Sequence, residues 1–206
     1  MAGETRPHWD GPPLEAWDAW TPGQAATRLA GVEAPWCVVG GWALDLWLGR
    51  ESRLHEDLEI AIPKPFFPQM RRRLAGFELY SVGDGEVLTL PLGAEQPDDK
   101  HQTWVAEGEA WRLDVMVEPG DAQTWVFRRD ESVTAPRTQM VGVTGAGVPY
   151  LKPEGALLYK AARPRPKDEA DFTLFAPLLE ATAMAWLREV ISRLYPGHPW
   201  LARLGA

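Results

Sequence analysis

Two carboxylates, Asp57 and Glu59, stand two residues apart in the run Asp57-Leu58-Glu59-Ile60-Ala61-Ile62. Leu58, Ile60 and Ile62 alternate with them, so the run reads as a β-strand with one face turned to a core. The two acids then leave the other face together, roughly 6.5 Å apart along the strand. Like charges at that spacing repel unless a cation sits between them, and carboxylate oxygens suit a hard ion such as Mg²⁺. Asp114 leaves a strand in the same way, because Leu113, Val115 and Val117 alternate with Arg112, Asp114 and Met116. Ahead of the acids, Gly40-Gly41 separates the apolar run 35–39 from a helix expected over 42–48, with Gly49 as its stop. A strand, a diglycine and a helix N-terminus put free backbone N–H groups where phosphates approach closely. Acids suited to Mg²⁺ beside a phosphate cradle point to phosphate chemistry.

These groups need a frame, and the rest of the chain supplies one. Residues 1–20, rich in Pro, Gly and Trp, read as an arm laid against the domain through Trp9, Trp17 and Trp20. Thr21-Pro22-Gly23-Gln24 reads as a capping box opening a helix to about residue 29 or 30. A basic amphipathic helix follows over 66–75, with Arg71, Arg72 and Arg73 expected on a solvated face. Strands are expected at 77–81 and 86–90, then a hairpin of 101–106 and 110–117 about Glu107-Gly108-Glu109. Residues 124–127 and 140–143 are also strand-like. A helix is expected from Tyr150 to about Arg163, a second from Pro166, and a last over 181–194. The expected class is α+β: a mixed β-sheet with flanking helices over 21–149, preceded by the arm 1–20 and followed by a C-terminal helical portion over 150–206.

Composition narrows the partners. The 206 residues are 45% hydrophobic and 24% charged, ordinary for a globular chain with a sizeable core. No apolar run approaches the roughly 18–20 residues of a membrane span, and the first residues lack a secretory pattern. The single cysteine, Cys37, falls in an apolar strand and reads as a core residue in a cytoplasmic protein. The formal net charge is −8. Polynucleotide binding draws on cationic contacts, so this balance makes a nucleic-acid partner unlikely and suits a small cationic molecule. The oligomeric state is not readable.

The run Gly40-Gly41-Trp42, Asp45, Leu48-Gly49-Arg50, followed by Arg53, His55 and Asp57-Leu58-Glu59-Ile60, resembles the nucleotidyltransferase superfamily with the DNA polymerase β-like fold. It is most similar to aminoglycoside 2''-adenylyltransferases and lincosamide nucleotidyltransferases, densely over 36–62 and weakly over 100–118 and 150–172. The resemblance implies that Asp57, Glu59 and Asp114 are catalytic residues that hold one or two Mg²⁺ ions, with Glu59 where the family usually has Asp. It implies that Gly40 and Gly41 lie beside the nucleotide phosphates. Lys160, with the later Lys167 and Asp171, matches a related pattern in which the first lysine meets the triphosphate. Arg53 is read equally as a phosphate contact or a partner of Asp45, and His55 as a nucleotide contact or a loop-orienting group. Asp45, Lys167 and Asp171 read as structural, and Asp168 as a complement to its helix dipole. Trp42 and Trp47 read as core, or as a platform for a base. The implied activity is Mg²⁺-dependent transfer of AMP from ATP to a hydroxyl of a small, aminoglycoside-like molecule. Two other readings stay open: a toxin-type enzyme modifying protein or RNA, and a non-catalytic nucleotide-binding or interaction protein of the same fold.

Overall fold

The structure, a computed structural model, describes residues 9–205; residues 1–8 of the expected arm, with Ala206, lie outside it. In chain order the first elements are α1 (Pro22–Arg28), β1 (Cys37–Val38), α2 (Gly40–Leu48), β2 (Glu59–Pro63) and α3 (Phe67–Arg73). Then come β3 (Glu78–Gly83), β4 (Glu86–Thr89), β5 (Gln102–Glu107), β6 (Ala110–Glu118), β7 (Thr124–Val126) and β8 (Thr134–Pro136). The chain closes with α4 (Arg137–Met140), β9 (Val141–Val143), β10 (Pro149–Leu151), α5 (Pro153–Ala161), α6 (Pro166–Phe175) and α7 (Ala181–Leu194).

Eight strands form one mixed sheet in the order β4-β3-β5-β6-β2-β1-β10-β9, and β7 pairs with β8 apart from it. The β2–β6 and β1–β10 pairs are parallel and the others antiparallel. The expected α+β class is therefore the observed one. Leu58, Ile60 and Ile62 are fully buried, as the alternation requires, and this apolar face fixes how β2 sits. Parallel pairing sets Glu59 opposite Asp114, so both side chains leave the same face of adjacent strands.

The N-terminal arm is held by its backbone. Trp111 donates to the Ala16 carbonyl at 2.8 Å, and the amides of Asp18 and Trp20 donate to the carbonyls of Trp111 and Arg112 at 3.0 and 2.9 Å. The arm thus takes the part of β6 that lies before its pairing with β2. It covers the fully buried Trp111, whose indole donates to the Pro13 carbonyl, beneath Trp17, Trp104 and Tyr80.

Three local expectations are corrected. Pro149–Leu151 pair as a strand, so the helix expected at Tyr150 opens at Pro153, where proline suits a first helical position. Met140 ends a helical turn, and only 141–143 are strand. Arg71 is not solvated: it is buried and donates to the carbonyl of Leu90 at 2.6 Å and to that of Pro91, while Arg72 and Arg73 stay exposed. The capping box at Thr21 and the helix over 181–194 are as expected.

Candidate active site

The three acids converge at the end of β2 and the middle of β6. Glu59 opens β2, Asp57 lies two residues before it, and Asp114 is carried by β6. Gln102 on β5 donates to Asp114 Oδ2 at 2.7 Å. The other oxygen, Oδ1, is buried without a hydrogen bond, as is Nε1 of Trp104. The indole is turned toward Asp114 but falls short of bonding geometry. Burial and the neighbouring Asp57 carboxylate push Glu59 up to about 7, opposed by Lys160, Lys167 and Arg165. Burial and Glu59 push Asp114 well above the usual carboxylate range.

The loop between α2 and β2 is tied down by a chain of charges. Asp45 on α2 accepts from Ser52 and from His55 Nε2, the latter at 2.6 Å. Arg53 donates to His55 Nδ1 at 3.1 Å, which leaves the ring proton on Nε2, facing Asp45. Arg53 also grips Asp171 of α6 through Nε and a terminal nitrogen at 3.2 and 3.3 Å. Lys160 of α5 lies 2.9 Å from both Asp168 and Asp171, and Arg165 reaches Asp168 at 2.8 Å. Trp42 stacks on His55 with ring centres 4.5 Å apart.

Close packing demands both glycines. Gly40 has φ +67°, and a Cβ there would overlap the Glu59 carboxylate. A Cβ on Gly41 would strike Arg53 and His55. The expected phosphate cradle is thus occupied on one side by the chain's own Glu59. Gly40→Ala is expected to cost at least about 1 kcal/mol in backbone strain alone, and to displace the acid. Urea unfolding and Mg²⁺-dependent turnover read the two effects separately.

Two clefts meet at the acids. One, of about 550 Å³, is lined by Gly41, Arg53, Lys160, Arg165 and Lys167 with Asp57 and Glu59. The other, of about 810 Å³, is lined by the arm, Glu56, Gln102 and Trp104 with all three acids. The first carries four basic side chains facing Glu56, Asp57 and Glu59; the second has no Lys or Arg in its wall.

The acids also fit a metal. The donors are hard oxygens, one of them orphaned in the interior, and burial together with repulsion from a neighbouring acid, which raise Glu59 and Asp114, are what a divalent cation offsets. Among the described residues, no three His, Cys, Asp or Glu side chains close on one ion-sized point. Mg²⁺ is commonly held by only one or two carboxylates and completed by substrate phosphates. A pH dependence follows. A carboxyl raised by folding stabilises the fold below its unfolded value, and that contribution is lost as pH rises through the folded one. For Glu59 the window runs from 4.5 to about 7. The melting temperature of the metal-free protein is expected to fall across that window, and Mg²⁺ to reduce the fall; equal curves with and without the ion would count against ion binding here.

Each residue singled out in the sequence can now be located. Asp57, Glu59, Asp114, Gly40 and Gly41 come together. Arg53 and His55 line the cationic cleft but spend their hydrogen bonds on Asp171, Asp45 and each other. Lys160 lines it too, though paired with two aspartates. Asp45 is held by hydrogen bonds from His55 and Ser52 rather than by Arg53. Asp168 does more than face a helix dipole, since it binds Lys160 and Arg165. Lys167, read as structural, is exposed in the cleft and makes no hydrogen bond or salt bridge among the described residues. Arg165 beside it, with no role assigned by the sequence, lines the same cleft and pairs with Asp168. Their signal was the density of basic residues just past Lys160.

Comparison with known proteins gives the family and the fold. A family model described as Aminoglycoside-2''-adenylyltransferase matches residues 24–173. No curated protein matches the chain. Among solved structures, the fold is similar to the antibiotic-resistance factor ANT(2'')-Ia in solution, with TM-score 0.53, 17% identity, and 82% of this chain covering 88% of that one. It is also similar to crystalline ANT(2'')-Ia in complex with adenylyl-2''-tobramycin, with TM-score 0.54, 16% identity, and coverage of 82% and 93%. The lincomycin-bound lincosamide adenylyltransferase LnuA gives TM-score 0.49 at 12% identity, over 72% of this chain and 90% of that one.

Proposed function

The chain belongs to the aminoglycoside-2''-adenylyltransferase family, and from that premise we propose that it transfers AMP from ATP to a hydroxyl of a cationic aminoglycoside, with Mg²⁺. The observation that carries this reading is the parallel register setting Glu59 beside Asp114, with a cationic cleft on one side and an acidic one on the other.

One or two carboxylates drawn from Asp57, Glu59 and Asp114 would hold an ion, which on binding would offset the charge of the triphosphate and acidify the acceptor hydroxyl. Lys160, Arg165 and Lys167 bind the phosphates from the opposite wall. The acceptor oxygen attacks the α-phosphorus, its new P–O bond forming as the bond to pyrophosphate breaks. Its proton passes to Asp114 Oδ1, the oxygen no protein group occupies. Gln102 fixes the other oxygen and so aims the carboxylate. Asp45, through the His55 proton, and Asp171, through Arg53, hold the loop that carries Asp57.

The buried, unpaired Cys37 supports a cytoplasmic location, and no helix of the described residues is long and apolar enough to cross a membrane. The arm 1–20, core 21–149 and helical region 150–206 are proposed as three working parts, with α5 and α6 bringing the cations to the core. The test is incubation with Mg²⁺, α-labelled ATP and tobramycin, then other aminoglycosides. Label in the acceptor with release of pyrophosphate is the expected result. ATP bound, with no pyrophosphate released for any acceptor, would overturn the proposal.

A further inference from the structure

Resting on that reading, we propose that the N-terminal arm forms the acceptor wall of the site, and that Glu15 and Trp17 bind amino groups of a cationic acceptor. The larger cleft is bounded on one side by arm residues from Leu14 to Thr21 and on the other by the three acids. Its charged side chains are all acidic apart from His55, whose Nε2 proton faces Asp45. A polyphosphate is repelled there and a polyamine attracted.

The arm's contribution is specific. Asp18 is already taken by Arg112, whereas Glu15 makes no ion pair or hydrogen bond among the described residues and faces the cleft exposed. Trp17 is half-buried, set edge-on to Trp104 with ring centres 5.3 Å apart, and lines the same cleft. An ammonium group between a carboxylate and an indole gains both ion pairing and cation–π attraction. The backbone that carries both side chains is held in place. The bonds of Ala16 and Asp18 to Trp111 flank Trp17 on either side, and the Trp111 indole binds Pro13 just before Glu15. The arm precedes residues 24–173, the part matched by the family model.

The experiment measures tobramycin and Mg²⁺·ATP binding by calorimetry, together with pyrophosphate release, on wild type, Glu15→Lys and Trp17→Ala. Tobramycin Kd and KM are expected to rise about ten-fold in Glu15→Lys and roughly three- to ten-fold in Trp17→Ala. ATP affinity and melting temperature should stay at the wild-type values in Glu15→Lys, which separates acceptor binding from a general structural role. Unchanged tobramycin affinity in both variants overturns the inference, as does failure of wild type to bind tobramycin. In the latter case, ATP binding on the same samples shows whether the nucleotide site stands without it. Tobramycin binding that the variants weaken, with no pyrophosphate from wild type, would uphold the arm and overturn the transfer reaction.

Discussion

Asp57→Asn is expected to lower kcat/KM for adenylyl transfer by about 10³-fold or more, with Asp114→Asn close behind. Asparagine keeps the shape and loses the charge. At Asp57 it removes a negative oxygen from the junction of the two clefts, and with it part of the attraction for an ion. At Asp114 it removes the proposed proton acceptor while leaving Gln102 without its carboxylate partner. Removing a like charge also relieves repulsion, so both variants should be as stable as wild type without metal, or more so. Loss of turnover with undiminished melting temperature is the signature. Turnover within about ten-fold of wild type for both variants would remove the acids from the reaction.

Lys160→Ala is expected to cost about 3 kcal/mol of stability, measured by urea unfolding. Its ammonium is nearly buried and serves Asp168 and Asp171 at once. Burial alone would raise the Asp168 carboxyl, but Arg165 and Lys160 outweigh it and hold the carboxyl well below the usual range. Asp171 is lowered likewise by Arg53 and Lys160 against its burial. A depressed carboxyl contributes stability that is present above its unfolded value near 3.8 and lost as pH falls through the folded one. Removing Lys160 leaves Arg53 and Arg165 to hold two buried charges. Lys167→Ala is the contrasting case: Lys167 is exposed and makes no hydrogen bond or salt bridge among the described residues, so its loss should weaken ATP binding without a stability loss. If Lys160→Ala leaves stability untouched, the network does not hold the loop.

What the sequence disclosed and what it hid follow from distance along the chain. Asp57, Glu59 and Asp114 were legible because alternation is a local signal, and burial of Leu58, Ile60 and Ile62 obeys it. The helix caps at Thr21 and Gly49 were legible for the same reason. The partners of Arg53 and His55 were not. Arg53 chose Asp171, 118 residues on, over the nearby Asp45, because α6 brings a buried carboxylate to it. Arg71 looked like its exposed neighbours, and only the arrival of Leu90 and Pro91 carbonyls turned it inward. Nor could pattern show that Gly40 makes room for Glu59, a contact between the first residue of α2 and the first residue of β2.

The pairing of Glu59 with Asp114 has a consequence for anyone purifying this protein. Because strand side chains alternate, a slip of β2 by one position along β6 would send Glu59 into the apolar layer and bring Leu58 or Ile60 to the cleft. A refolded sample that is compact but slipped would keep most of its secondary structure and be catalytically silent. Specific activity per mole, set against the circular dichroism of the same preparation, therefore reports the fraction of molecules whose strands are in correct alignment.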